Sequence, residues 1–172
     1  VSTGPVNRTL YNEILNLGIP LVMVGEAKVG VRAPSVRVDN VLGGYIAGQH
    51  LLDLGHRSIV YMTHKKHELE HHGKSLTTEN IERFHGLCRA MADRLAGKPR
   101  LVIEAPEQRV SDSMVDRILA LRPLPTAIFA YSDAIAIQTI RLLERRGYRV
   151  PANLSVVGYD DMEVAALFQP AL

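Results

Sequence analysis

Three groups of side chains in this 172-residue sequence could carry chemistry. The first is His67-Glu68-Leu69-Glu70-His71. Two histidines one helical turn apart can hold zinc, and the glutamate between them can act as a general base. That pattern needs a helix with a buried face, yet Leu69 is the only apolar residue among His64-Lys65-Lys66 and His72-Gly73-Lys74, and Lys74 stands where the extended form needs glycine. A solvated loop is therefore the preferred reading, incidental metal binding the second, and a zinc hydrolase the last. A connection as long as 63–79 generally serves as a ligand lid or stays disordered.

The second group is Arg83, placed by the periodicity in the first turn of a helix, where a cation opposes the dipole by about 0.3–1 kcal/mol. It either pairs with Glu79 at i, i+4, worth about 0.2–0.5 kcal/mol, or serves something outside the helix. The third group is Tyr131-Ser132-Asp133 and Tyr159-Asp160-Asp161. A guanidinium and carboxylates on one rim can make paired hydrogen bonds to the vicinal hydroxyls of a sugar or to a polar ring edge, with Tyr131 and Tyr159 as stacking faces. Each has a plain alternative: Ser132 and Asp133 can cap the helix that follows them, Asp160 and Asp161 can cap a short helix at 162–168, and the tyrosines can be core residues.

Other chemistries leave no trace. There is no G-x-G-x-x-G after a strand, no G-x-x-x-x-G-K-[ST] and no G-x-S-x-G, so neither a cofactor nor a catalytic role is expected. Cys88, the single cysteine, falls on an apolar helix face and reads as a core thiol; it excludes an internal disulfide and fits a reducing compartment. His50, His56 and His85 have no evident nucleophile beside them.

The elements that must position these groups announce themselves by a repeated change of period. Ala47, Leu51 and Leu54 mark a helix over 42–54 that meets Gly55 and then the run Ser58-Ile59-Val60-Tyr61. A helix over 134–146 meets Gly147 before Leu154-Ser155-Val156-Val157, and Leu17-Gly18 precedes Leu21-Val22-Met23-Val24. Glycine just past a helix accommodates its left-handed cap. Ile81, Phe84, Cys88, Met91 and Leu95 set a helix over 80–96, and Val115, Ile118 and Leu119 another after Ser111 or Ser113. Short strands are expected at 101–103 and 126–129. Helix and strand alternate from 42 to 157, which predicts a doubly wound α/β fold: a parallel sheet with helices on both faces and right-handed crossovers. Ligands of such sheets bind beyond the carboxyl ends of the strands, where Arg83, Asp133 and Asp160 should converge. Residues 1–38 hold too few elements, a helix near 5–17, one strand at 21–25 and an extended piece at 36–38, to cover a sheet of their own.

Composition agrees with a globular chain: 47% apolar and 22% charged residues, enough for a core. The longest apolar runs are about six residues against the roughly 20 of a bilayer span, so no membrane segment is expected. A net charge of +2 gives no electrostatic case for nucleic acid. The first residue is Val1 and no secretory leader is visible, so a fragment of a longer cytoplasmic protein is expected.

The loops also carry a resemblance. Val38-Asp39-Asn40-Val41-Leu42-Gly43-Gly44-Tyr45, His50-Leu51-Leu52-Asp53-Leu54-Gly55-His56-Arg57, Glu82-Arg83-Phe84-His85-Gly86, Ala127-Ile128-Phe129-Ala130-Tyr131-Ser132-Asp133 and Val150-Pro151 through Leu154-Ser155-Val156-Val157-Gly158-Tyr159-Asp160-Asp161 together resemble the lactose and galactose repressor (LacI/GalR) family of transcriptional regulators. The resemblance implies a periplasmic-binding-protein-like effector domain of two lobes hinged around a small ligand, usually a sugar, a sugar derivative or a purine. On that model residues 1–38 are a remnant of the N-terminal lobe, 39–168 the C-terminal lobe, and 169–172 the start of a return crossover. Arg83, Ser132, Asp133 and Asp160 match family positions that face the cleft, while Glu26 and Glu107 match more loosely. The His-rich loop departs from the family pattern. The resemblance further implies a homodimer that reaches operator DNA through a helix-turn-helix headpiece not found in this chain, with lobe closure altering headpiece spacing. A periplasmic sugar-binding protein of a transporter shares the architecture and is the alternative. Arg83→Ala and Asp160→Ala are both expected to weaken ligand binding while leaving stability near its original value.

Overall fold

The structure is a computed structural model that describes residues 8–25, 33–63, 78–94, 97–105 and 109–172. The His67–His71 pattern, Glu26 and Glu107 lie outside the described residues.

The elements in order are α1 (Arg8–Asn16), β1 (Met23–Val24), β2 (Ser35–Val36), α2 (Asn40–Asp53), β3 (Ile59–Thr63), α3 (Thr78–Asp93), β4 (Leu101–Glu104), α4 (Asp112–Leu119), β5 (Ala127–Ala130), α5 (Asp133–Arg145), β6 (Ser155–Val157) and α6 (Glu163–Leu167). The alternation expected from 42 to 157 is the one observed, with ends displaced by no more than three residues. Gly55 and Gly147 occupy the left-handed region at φ +90° and +79°, as helix-to-strand joints require.

Among the described residues all strand pairs are parallel. β1 pairs with β2 in a two-stranded sheet, and the main sheet has the order β4-β3-β5-β6. From β3 the chain moves outward to β4, then crosses back over β3 to β5 and on to β6. With right-handed crossovers, α3 covers one face and α4 and α5 the other. The strand order therefore reverses between β3 and β5, and their carboxyl ends open the crevice in which such sheets bind ligands.

Burial explains the strand sequences. Every residue of β3 and β5 is buried, as parallel strands covered on both faces demand. Tyr61 meets Phe129 edge-on at 5.4 Å and Phe84 at a tilt at 5.3 Å, with Leu51, Leu52, Leu87 and Met91 closing the α2–α3 side and Ile118, Ile135 and Leu143 the other.

Two corrections concern α3. The buried residues of this helix are Asn80, Arg83, Gly86, Leu87, Ala90 and Met91, so the inner face is rotated from the expected stripe. Cys88 is only half buried rather than a core thiol. The cause is the contact with α2, which the apolar pattern does not encode. A side chain on Gly44 would collide with the Arg83 backbone carbonyl, and one on Gly86 with the backbone of Val41 and Tyr45. The two helices thus touch backbone to backbone, and Leu87 and Ala90 turn toward Gly48.

Outside this core, Val22, Val24, Val36 and Val38 are largely exposed, Val24 to 80%. Exposed apolar surface on the short sheet was expected from its small number of elements.

Candidate functional site

Arg83 reaches the loops that follow β5 and β6. Because α3 begins at Thr78, the residue is in the second helical turn rather than the first, and the dipole penalty falls off within the first turn. Its stem is buried among α2, α3 and the end of β5, leaving 8% of the residue exposed. Nε donates to Asn40 Oδ1 at 2.9 Å, and Nη1 donates to the Tyr131 carbonyl at 2.6 Å and to Asp160 Oδ1 at 3.4 Å. The guanidinium also packs on two rings, 3.5 Å from the centroid of Tyr159 and 4.5 Å from that of Tyr131. A cation held over aromatic faces in a desolvated setting gains about 2 kcal/mol or more.

Glu79, the alternative partner of Arg83, instead accepts from the Tyr131 hydroxyl at 3.4 Å. Arg83 therefore serves a purpose outside its helix, and the expectation that Arg83→Ala leaves stability untouched does not fit a side chain this buried and this heavily bonded.

The rim opposite Arg83 is assembled by Asp133. This residue is 2% exposed and starts α5, with Ser132 as the N-cap whose Oγ accepts from the Ile135 N–H at 3.4 Å. The Asp133 carboxylate accepts three backbone N–H groups of the loop after β6: Tyr159 at 2.9 Å and Asp160 at 3.2 Å on Oδ1, and Met162 at 2.8 Å on Oδ2. A side chain at Gly158 would strike Asp133 Oδ1, which is why glycine precedes this loop. Asp161 takes φ +54°, a left-handed turn that Asp tolerates better than most residues, and it brings the Met162 N–H round to Asp133. Asp160 Oδ2 closes the circuit by accepting from the Asp133 N–H at 3.2 Å. The cap of α6 is Met162, so neither Asp160 nor Asp161 takes the capping role that was their plain alternative.

Burial shifts the phenols. Tyr131 is pushed up to about 12, chiefly by desolvation, with Arg83 opposing and Glu79 adding to the rise. Desolvation raises Tyr159 in the same way against the pull of Arg83, and Tyr61 beneath them is raised further. All three hydroxyls are neutral at physiological pH and remain hydrogen-bond donors.

The crevice thus brings together all six expected residues, Arg83, Tyr131, Ser132, Asp133, Tyr159 and Asp160, with different orientations. Arg83, Tyr131, Tyr159 and Asp160 form one stacked and charged cluster, whereas Ser132 and Asp133 spend their oxygens on backbone N–H groups. Sequence reasoning did not single out Asn40 or Gly43 as site residues. A side chain at Gly43 would collide with the Tyr159 hydroxyl, so this glycine makes room for the ring. Both lie in the Asp39–Tyr45 stretch quoted above, but their roles depend on α2 meeting α3 edge to edge. Among the described residues no group of three His, Cys, Asp or Glu could hold a metal ion.

Comparison with known proteins points one way. A family model, the periplasmic binding protein-like domain, matches residues 49–172. The HTH-type transcriptional repressor PurR of Aliivibrio fischeri is 32% identical over 161 residues, covering 91% of this chain and 45% of that protein. The HTH-type transcriptional regulator DegA of Bacillus subtilis is 34% identical over 163 residues, with 93% and 45% coverage. The chain spans less than half the length of these relatives. A crystal structure of a LacI family transcriptional regulator from Enterococcus faecium, with bound ribose, superposes with a TM-score of 0.74 at 27% identity over 97% of this chain and 59% of that one. Relatives named for transcriptional regulation do not favour the transport-protein alternative.

Proposed function

Because the chain belongs to the LacI/GalR family of transcriptional regulators, of which it is the periplasmic-binding-protein-like effector-binding domain, we propose that it senses a small molecule in the crevice beyond β3 and β5. The effector is a sugar, a sugar derivative or a purine. In the intact regulator its binding changes the arrangement of two lobes, the first represented here by a remnant, residues 1–38, and the second by residues 39–168, and through them the grip of a DNA-binding headpiece on its operator. The protein works as a cytoplasmic homodimer, and no step of this function is catalytic.

One observation carries the reading: a buried guanidinium stacked on two neutral tyrosines and paired with Asp160, at the point where the strand order reverses. The rings supply a flat apolar wall, while the guanidinium and carboxylate supply a donor fork and an acceptor at one edge. A polyhydroxylated ring or a nucleobase presents that combination of flat face and polar edge. Exposed Val22, Val24, Val36 and Val38 support a first lobe that continues beyond the short β1–β2 sheet.

The test is a thermal-shift screen of pentoses, hexoses and purine bases on the intact regulator, followed by calorimetry on Asp160→Asn. A ligand at one hundred times its Kd raises stability by about 2.7 kcal/mol, a readily measured shift. Unchanged affinity in Asp160→Asn for every ligand that binds the parent protein would remove the crevice from consideration.

A further inference from the structure

Arg83 reaches in two directions. Toward the crevice it meets Asp160 and the two rings; on the other side its Nε donates to Asn40 Oδ1, a 2.9 Å bond buried from solvent. Asn40 is the first residue of α2 and is itself buried at 4% exposure. Its amide orientation is fixed by chemistry, since an arginine Nε only donates and must be met by the oxygen. The Asn40 Nδ2 then donates to the Val38 carbonyl at 3.3 Å, in the link that joins β2 to α2. The same link is tied to α3 at the surface by Arg37, which pairs with Glu82 at 3.4 Å.

Residues 37–39 carry the chain from the β1–β2 sheet to the main sheet, and so stand between the two parts of the fold that the proposed function requires to move. We propose that Asn40 is a positioning residue for Arg83: its oxygen holds the guanidinium in the plane that lies over Tyr131 and Tyr159, and its amide ties that guanidinium to the backbone of the link at Val38. A change in the Arg83 environment is then felt at residues 37–39 through one side chain. Gly44 and Gly86 make this possible, because only backbone-to-backbone contact of α2 with α3 brings the start of α2 within reach of Nε. The proposal takes its functional meaning from the reading of Arg83 as an effector contact, but its chemistry stands without it.

Two substitutions separate the halves of the bridge. Asn40→Asp keeps an acceptor for Arg83 and loses the donor to Val38; Asn40→Ala loses both. On the intact chain labelled with nitrogen-15 and carbon-13 and with no ligand added, NMR reads the solvent exchange of the Arg83 Nε–H and the carbonyl carbon-13 shift of Val38, the acceptor of the Asn40 amide, with amide exchange in α5 as internal reference. In Asn40→Ala the Nε–H exchanges at least roughly tenfold faster relative to α5 and the Val38 carbonyl shift moves upfield. In Asn40→Asp the Arg83 Nε–H stays as slow as in the parent while the Val38 carbonyl shift alone moves. A general loss of stability would accelerate α5 equally and could not be rescued at one atom by aspartate. Nε–H exchange within twofold of the parent in Asn40→Ala overturns the proposal. If that variant does not fold, fast Nε–H exchange or an unchanged Val38 carbonyl shift in Asn40→Asp overturns it instead. Failure of every sugar and purine to bind would refute the effector reading and leave these two signals as they are, so the two outcomes are distinguishable.

Discussion

Replacing Asp133 by asparagine preserves shape and removes one charge, which makes it a stringent probe of how the crevice is built. In the better of its two orientations the amide oxygen keeps the N–H groups of Tyr159 and Asp160, now as neutral bonds, and the amide nitrogen faces the Met162 N–H, donor against donor. Losing one hydrogen bond to a charged acceptor costs about 1.5–3 kcal/mol. Halving the two that remain adds about 1 kcal/mol or more, and removing a negative charge from the first turn of α5 adds about 0.3–1 kcal/mol. The loop amides are partly solvated, so the total falls near the lower end, at about 3 kcal/mol. For a chain of this length that lowers Tm by roughly 6–12 °C. Urea unfolding followed by far-UV circular dichroism would show a reduced midpoint with an unchanged slope, because the surface exposed on unfolding is the same. A loss below about 1 kcal/mol would mean that the three N–H groups are held by something other than the carboxylate, and the account of the loop would be refuted.

Other expectations follow from the same geometry. Arg83→Ala removes two buried bonds and the partner of two rings and should cost about 2–4 kcal/mol, whereas Asp160→Asn, losing a partly exposed pair, should cost under about 1 kcal/mol; denaturation curves of the two variants compare them directly. The phenol contribution to stability should be constant below about pH 9 and be lost as pH rises from 10 toward 12. Tyr61, Tyr131 and Tyr159 all ionise later in the folded chain than in the unfolded one, so the unfolded state loses protons first; denaturant midpoints measured against pH would detect the fall. Gly44→Ala, which forces a side chain into the Arg83 carbonyl, should cost about 1–3 kcal/mol or prevent folding. Gly43→Ala meets only the Tyr159 ring, so the chain should stay folded while the ring shifts off the guanidinium, as Tyr159 ring proton shifts in NMR would report.

Much of this architecture was legible in the sequence because it is written in local chemistry. The glycines after α2 and α5 and the apolar runs of β3 and β5 give element type and order directly. Arg83 stands out as a cation near the start of a helix, although a pair with Glu79 is an equal reading of the sequence, and strand polarity alone brings Asp133 and Asp160 to one rim. What escaped was set by tertiary contact. The inner face of α3 was misjudged because Asn80 and Arg83 look like surface residues and become buried only once paired with groups distant in sequence. Cys88 was assigned to the core by the same misplaced stripe. The division of labour between Asp133, which holds a loop, and Asp160, which faces Arg83, could not be read from two aspartates of equal appearance.

The manner in which Asp133 holds its loop bears on how such a crevice can change. Its three partners are main-chain N–H groups, which every residue except proline possesses. Positions 159, 160 and 162 can therefore accept new side chains without releasing the anchor, and proline is the substitution each should reject. Placement of the rim and the side-chain chemistry it presents are thereby governed by different atoms, so that the second can change while the rim itself stays in place.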